Sequence, residues 1–253
     1  MTPEHKPAGP HISIHADTIT SFMGFHVTNA LLLSIIVFVV FLIVAIKYKQ
    51  ESTKPNKSNF FYFITFVLRA IYTLFRSVLG EKTNYFFPLA GSFFFFILLQ
   101  NEFGLLPGVG SVLIKVQEGH QEALVPLLRG NTTDLNTTLA LALISVTFSQ
   151  YVGIKHLGFI GYLKKFINLK SPMAFFTGIM ETISEFSKVI SFSFRLFGNI
   201  FAGEVILTIM AFLIPVLVSF PFLLFEVFIG IIQALVFAML STVFFSLAME
   251  KAH

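Results

Sequence analysis

The sequence predicts an all-α polytopic membrane protein. We expect about five membrane-embedded helices plus one interfacial amphipathic helix, with a long, steeply tilted helical hairpin at the end. Only 12% of the 253 residues are charged and 55% are hydrophobic, whereas soluble domains carry about 25% charged residues. Several apolar runs also reach the ~20 residues that a helix needs to cross a bilayer. The chain has no cysteine, which excludes disulfides and thiolate metal sites.

The N-terminal part consists of a polar tail and one clear span. Residues 1–27 are polar and are expected to lie outside the membrane, and residues 28–47 are predicted to form the first transmembrane helix. The histidines of the tail are irregularly spaced, which is more typical of a solvated segment than of a metal site. We therefore expect no metal and no cofactor.

The segment after the first span is amphipathic. In residues 60–79, Arg69 and Arg76 lie seven positions apart and therefore on one face of a helix. This pattern predicts an interfacial or hairpin helix on the cytoplasmic side. A helix that crosses the membrane is the alternative that hydropathy leaves open.

The distribution of lysine indicates the orientation of the chain. Two further transmembrane helices are predicted at residues 85–106 and 134–154, joined by a loop of mixed charge at 107–133. The loop at 155–171 contains lysines and no acidic residue. If residues 60–79 do not cross, both lysine-rich loops are cytoplasmic, as the positive-inside rule requires. The N-terminus and the 107–133 loop are then outside.

The last third of the chain has an unusually long apolar pattern. Residues 172–214 contain no proline after Pro172, and about 42 helical residues would span ~63 Å, twice the ~30 Å hydrocarbon core. The segment therefore either breaks, near Gly198 or Gly203, or crosses at a steep tilt. Residues 221–249 are predicted to form the second helix of the hairpin.

A permanent cation lies inside the long apolar segment. Arg195 has no flanking loop that would carry it to water, and an Arg at bilayer depth is costly and usually functional. At 100° per residue, several polar residues share one arc of about 80°. They are Glu181, Glu185, Lys188, Arg195 and Asn199. Two structural alternatives stay open: a helix salt bridge between Glu185 and Lys188, and a buried ion pair for Arg195.

Two carboxyl groups lie outside this stripe. Glu204 points roughly 140° away from Glu181 on the same helix, toward a different neighbour. On the terminal helix, Glu226 and Gln233 share one face with Gly230. A carboxyl and an amide on the partner of an Arg-bearing helix predict a polar path between the two helices. The alternative is that they form hydrogen bonds that hold the helices together.

The motif SFSFRLFGNIFAGE, at residues 191–204, resembles the signature of subunit a of the F-type ATP synthase. Other segments are similar to further parts of that family, and together they cover the chain from about Thr28 onward. They are NEFGLLPG at 101–108, DLNTTLALAL at 134–143, GIKHLGFIGYLKKF at 153–166 and IIQALVFAMLSTVFFSLA at 231–248.

The resemblance implies a non-catalytic, proton-translocating stator subunit of the Fo sector. Such a subunit presses against the rotating c-ring and provides two half-channels, while ATP synthesis takes place on partner subunits. Arg195 matches the essential arginine of the family. The residues implied for the outer half-channel are Asn199, Glu204, Glu226 and Gln233, and those for the inner half-channel are Glu181, Ser191, Glu185 and Lys188.

The resemblance also implies partners and a location. The partners are the c-ring, the subunit b peripheral stalk, other Fo subunits, the lipid bilayer and the translocated H⁺, with no nucleic acid. We expect the bacterial plasma membrane, with the mitochondrial inner membrane or the thylakoid as alternatives. The coupling ion is expected to be H⁺, although Na⁺ specificity is set largely on the ring.

Two positions depart from the family pattern. Val189 stands where many relatives have proline, which would alter a local bend. Glu204 and Glu226 are both acids where some relatives pair an acid with a histidine, and one of two neighbouring carboxyl groups is expected to stay protonated at neutral pH.

A secondary transporter with Arg195 at a midplane substrate site is the alternative function. Transporters of that kind often contain internal repeats, and the sequence has no such repeat. It also lacks a nucleotide loop of the GxxxxGK[ST] type, so we expect no enzymatic activity from this chain itself.

Overall fold

The computed structural model describes residues 16–22, 25–106, 108–109, 112–118, 121–166, 171–214 and 219–249. Most of the polar tail predicted at 1–27 lies outside the described residues. So do the end of the basic loop predicted at 155–171 and the link between the last two helices.

Helices dominate the described part of the chain. They are α1 (Asn29–Ser52), α2 (Asn59–Leu79), α3 (Thr83–Gly104), α4 (Leu135–Leu157), α5 (Phe159–Phe166), α6 (Pro172–Leu213) and α7 (Ser219–Ala248). A short 3-10 turn at Gly80–Lys82 joins α2 directly to α3. Among the described residues, five helical segments are long and apolar enough to cross a membrane: α1, the combined α2–α3 segment, α4, α6 and α7. This confirms the predicted class of an all-α polytopic membrane protein.

Several helices begin at side chains that accept a hydrogen bond from the first turn. The Asp134 carboxylate accepts from the backbone N–H of Asn136 at 3.0 Å, just before α4. Ser171 Oγ accepts from the N–H of Ala174 at 3.1 Å, and Pro172 follows at the first helical position of α6. Both arrangements satisfy N–H groups that a helix leaves without partners at its start.

Helix α6 is continuous over its 42 residues. Of the two alternatives for this segment, the structure therefore excludes a break at Gly198 or Gly203. At 1.5 Å per residue the helix is ~63 Å long, about twice the hydrocarbon thickness. Helix α7 packs against it to complete a hairpin, and the steep tilt to the membrane follows from this length.

Two small antiparallel β-hairpins lie in segments that we expected to be a tail and a loop. One consists of β1 (Thr18–Phe22) and β2 (Phe25–Thr28), the other of β3 (Leu113–Glu118) and β4 (Gln121–Pro126). Strand pairing gives these segments backbone partners that an irregular loop would lack. Short hairpins leave little hydrophobic periodicity in a sequence, so neither hairpin was predicted.

A buried asparagine ties both hairpins to the same end of the helical bundle. Asn29 Nδ2 donates to the Asp17 carboxylate and to the carbonyl oxygen of Pro126, both at 3.1 Å. The end of β4 is thereby fixed to the first turn of α1. This end of the molecule also carries the loop between α3 and α4, which matters for the site described below.

The core is built from phenylalanine rings and from hydroxyl groups between helices. Helix α3 packs against α7, where Phe93 and Phe237 meet edge to face with centroids 5.5 Å apart. Ser145 Oγ on α4 donates to Ser241 Oγ on α7 at 2.8 Å. Small polar residues between membrane helices allow close approach and supply interhelical hydrogen bonds. Helices α4 and α7 therefore pack against one side of α6, and α3 packs against α7 behind them.

Candidate functional site

Glu204 is held by an arginine from the loop before α4. Arg129 Nε and one of its terminal nitrogens donate to the two carboxylate oxygens of Glu204, each at 3.1 Å. Arg129 is only 6% exposed. A bidentate pair of this kind fixes the position and the orientation of the carboxylate. Glu204 was a predicted site residue, whereas its partner was not.

The second predicted acid, Glu226, is buried against α6. It is 3% exposed, and its Oε1 has no hydrogen-bond partner among the described residues. The carboxyl group lies directly over Gly203, where a Cβ atom would overlap with it. Gly203 therefore allows the α7 acid to reach the backbone of α6 one residue before Glu204.

Helix α3 forms a third wall of this region. Asn101 Nδ2 donates to the carbonyl oxygen of Gly230 on α7 at 3.0 Å, and Asn101 Oδ1 accepts from Thr132 Oγ1 at 2.7 Å. The neighbouring Gln100 is fully buried, with neither amide atom bonded to another described residue. The end of α3 thus brings polar groups into contact with the Glu226 face of α7.

A cavity of about 660 Å³ opens between α3, the loop before α4, α6 and α7. Its polar lining includes Gln100, Arg129, Glu204, Ser219 and Glu226. Three of these carry buried oxygen or nitrogen atoms that lack a hydrogen-bond partner among the described residues, namely Gln100, Ser219 and Glu226. A cavity of this size has room for several waters, and water bound there would supply the missing hydrogen bonds. We call the five polar lining residues the outer cluster.

Arg195 lies on an exposed face of α6, away from the supporting helices. Its side chain donates to Ser191 Oγ at 3.3 Å, and within the described part of the chain it forms no ion pair. Asn199, one turn later, is exposed on the same face. Phe194, beside the arginine, is 56% exposed. The alternative of a buried structural ion pair for Arg195 therefore finds no support here.

A second polar group, the inner cluster, lies nearer the start of α6. Lys188 Nζ donates to Glu185 at 2.6 Å, and Gln150 Nε2 on α4 donates to the other carboxylate oxygen at 2.6 Å. The Tyr162 hydroxyl on α5 donates to the Gln150 side-chain oxygen. The salt bridge that the spacing of Glu185 and Lys188 allowed is present, and it belongs to a larger network.

Helix α5 covers this inner cluster. Lys165 forms a salt bridge to Glu181 at 2.6 Å. Burial raises the pKa of the Tyr162 hydroxyl, and the charges of Glu185 and Glu181 raise it further. Tyr162 therefore stays protonated and acts as a hydrogen-bond donor. The close packing of α5 depends on Gly153 and Gly178, where a Cβ atom would overlap with Tyr162 and with the Phe166 backbone respectively.

The two clusters lie at separate levels of one helix. Glu185 and Glu204 are 19 positions apart, or about 28 Å along α6, with Arg195 between them. Gln233, predicted for the outer half-channel, is half-buried on α7 two turns beyond Glu226. The arrangement thus consists of two partly buried polar regions and one exposed cation halfway between them.

Several members of these clusters were missed in the sequence. They are Gln100, Arg129, Gln150, Tyr162 and Lys165. One signal was available, because Gln100, Asn101 and Glu102 place three consecutive polar residues inside an apolar span. For Arg129 and Lys165 no local pattern distinguishes them from ordinary loop charges.

Comparison with known proteins gives a consistent result over most of the chain. The family model for the ATP synthase A chain matches residues 28–246. A protein of Syntrophobacter fumaroxidans described as ATP synthase subunit a is 35% identical over 207 residues, covering 80% of this chain and 76% of that protein. A chloroplastic ATP synthase subunit a of Stigeoclonium helveticum is 35% identical over 206 residues, covering 81% of this chain and 78% of that protein.

Proposed function

The chain belongs to the ATP synthase A chain family, and from that premise we propose that it is the proton-translocating stator of the Fo sector. The observation that carries the proposal is the position of Arg195. It is an exposed cation halfway along a 42-residue helix, with one partly buried polar cluster on each side of it along that helix. A stator requires two separate aqueous paths and a charged barrier between them.

We propose that the outer cluster is the path on the outer side. A proton from the aqueous phase enters the cavity and reaches the buried carboxyl group of Glu226. Glu204 is held at the cavity wall by two hydrogen bonds from Arg129, and its carboxylate oxygens accept further hydrogen bonds from water that enters the cavity. Asn199 and Gln233 supply hydrogen bonds between Glu226 and the face of α6 that carries Arg195.

The next step takes place at the exposed face of α6. The proton passes to a carboxylate on the rotating ring, which then leaves the charged arginine and turns through the lipid. On its return from the other side the ring carboxyl group loses its proton toward the inner cluster. The guanidinium of Arg195 favours the ionised form of the carboxylate that faces it, and it cannot itself lose its proton.

We propose that the inner cluster provides the second path. Glu181 and Glu185 carry the negative charge there, and both are paired with lysines from α5 and α6. Ser191 lies one turn before Arg195 and accepts its hydrogen bond, which fixes the direction of the guanidinium. The path between the two clusters along α6 is closed to protons by the positive charge of Arg195.

The partners and the location follow from the family in two steps. The chain is a multi-pass membrane subunit, and other ATP synthase subunits are its partners. We further propose contacts with the c-ring and with the subunit b peripheral stalk, H⁺ as the coupling ion, and the bacterial plasma membrane as the location. ATP synthesis itself is assigned to the partner subunits.

A transporter with a substrate site at Arg195 is not favoured by any feature of the structure. Substrate sites of transporters lie enclosed at a repeat interface, whereas Arg195 faces outward among exposed apolar side chains.

Cross-linking tests whether the exposed face of α6 contacts the ring. Because the chain has no cysteine, the single variant Phe194→Cys gives one defined thiol beside Arg195. In the intact complex we expect it to form a disulfide with a cysteine placed on the c subunit near its ion-carrying carboxylate. The products are detected by gel electrophoresis and mass spectrometry.

The matched control is Phe38→Cys on α1, since Phe38 is 58% exposed and Phe194 is 56% exposed. Both variants replace the same residue type on a lipid-accessible or partner-accessible surface. The proposal fails if the two thiols form disulfides with the ring to the same extent, or if only the α1 thiol does so.

A further inference from the structure

We propose that Glu102, near the end of α3, is an additional proton-carrying residue of the outer path and exchanges protons with Glu226. This inference rests on the proposed function. Glu102 would be a third acid in this path, beside Glu204 and Glu226.

The side chain of Glu102 reaches the same face of α7 as Glu226. A Cβ atom on Gly230 would lie 3.1 Å from Glu102 Oε1. Gly230 follows Glu226 by four residues, or one helical turn, and the two therefore share a face. The adjacent Asn101 binds the Gly230 carbonyl oxygen at 3.0 Å, which fixes the end of α3 at this level.

The two carboxyl groups also have atoms available for a proton. Oε1 of Glu102 and Oε1 of Glu226 are both buried, and neither has a hydrogen-bond partner among the described residues. Glu204 is bound on both oxygens by Arg129, whereas Glu102 makes no salt bridge within the described part of the chain.

A second observation places a cavity and a further unpaired polar group beside Glu226. The outer cavity is lined by Glu226 and by the fully buried Gln100, whose amide has no bonded partner among the described residues. Glu102 itself is half-buried, so it connects the buried acid to a more accessible position. Because one oxygen of Glu102 is buried while the residue as a whole is partly exposed, its carboxyl group can exchange protons between water and the buried Glu226.

The proposed step is a simple proton transfer. The O–H bond of protonated Glu102 breaks and an O–H bond forms on the Glu226 carboxylate, directly or through one intervening water. The Glu102 carboxylate left behind takes a proton from the aqueous phase. No oxidant, reductant or metal takes part.

Two substitutions at Glu102 separate proton transfer from a structural role. Glu102→Gln keeps the size and the hydrogen-bonding capacity but cannot exchange a proton, whereas Glu102→Asp keeps the carboxyl group on a shorter chain. In inverted vesicles with the intact complex, ATP-driven pumping is measured by the quenching of a pH-sensitive dye. We expect Glu102→Gln to pump about tenfold more slowly and Glu102→Asp to stay near the native rate. The loss is smaller than the roughly 10²–10⁴-fold that a positioned acid or base contributes, because cavity water also conducts protons.

The controls distinguish this inference from the function on which it rests. Glu81→Gln is the matched control, since Glu81 is an exposed acid in the turn between α2 and α3. If Glu102→Gln pumps like Glu81→Gln while Arg195→Ala abolishes pumping, the role of Glu102 is refuted and the stator function stands. If Glu102→Asp is as slow as Glu102→Gln or slower in complexes of equal yield, Glu102 is structural and the inference is also refuted. If Arg195→Ala pumps normally, the proposed function itself fails.

Discussion

Replacement of Arg195 by alanine is expected to abolish ATP-driven proton pumping and ATP synthesis while the complex still assembles. The side chain makes a single hydrogen bond, to Ser191, within the described part of the chain, and it is exposed on α6. Substitutions at such positions usually change the free energy of unfolding by less than about 0.5 kcal/mol. The loss of function would therefore arise from the missing charge and not from a damaged fold.

The physical reason is the electrostatic effect of the guanidinium on the ring. Without the cation, the ring carboxylate has no partner that favours its ionised form at the interface, and it retains its proton. Arg76→Ala on α2 is the control, since Arg76 is also an exposed arginine on a helix. Pumping is measured in inverted vesicles that contain equal amounts of complex. Near-native pumping by Arg195→Ala would show that Arg195 is not the working cation.

Replacement of Arg129 by glutamine is expected to destabilise the chain and to reduce pumping. Removing one partner of a buried ion pair costs about 3–5 kcal/mol, because the other charge stays without compensation. The cost here lies at or below the lower end of that range, since the Glu204 side chain is 37% exposed. When the purified complex is heated, we expect half of the chain to be lost from it at a lower temperature than in the native complex. We also expect a lower pumping rate.

A second substitution tests the cause of this destabilisation. The double variant Arg129→Gln with Glu204→Gln removes both charges, so it should recover most of the thermal stability lost in the single variant. Arg69→Gln, at an exposed arginine of α2, is the control and should leave the thermal stability unchanged. The assignment of the pair as a stabilising contact is contradicted if the double variant is no more stable than Arg129→Gln.

The sequence predicted the elements that local patterns determine. The apolar run after Pro172 indicated a helix too long for a perpendicular span, and α6 is indeed one continuous helix. The helix predicted from residue 134 is α4, and Asp134 is its N-terminal cap. The motif around Arg195 indicated the family because several residue types recur at fixed spacings within 14 positions. These features require only neighbours along the chain.

Contacts between segments that are distant along the chain could not be predicted from the sequence. The partner of Glu204 lies 75 positions away in a loop, and its charge resembles that of any loop arginine. A salt bridge between Glu185 and Lys188 was one of the alternatives that the spacing left open. The Gln150 amide on α4, which binds the other oxygen of Glu185, depends on how α4 packs against α6. The burial of Glu226 likewise depends on Gly203 of the other helix. Tertiary packing decides each of these cases.

The central claim is that Arg195 separates two proton paths, and it is tested most directly by the proton leak of a complex that cannot rotate. Rotation is blocked by the disulfide between Phe194→Cys and the c subunit, in chains with and without the additional change Arg195→Ala. Vesicles are loaded with a pH-sensitive dye, and the passive proton flux is followed after a pH jump. We predict that the locked complex with Arg195 is tight to protons, whereas the locked Arg195→Ala complex leaks from the outer to the inner cluster. Equal flux through the two locked complexes would contradict the claim.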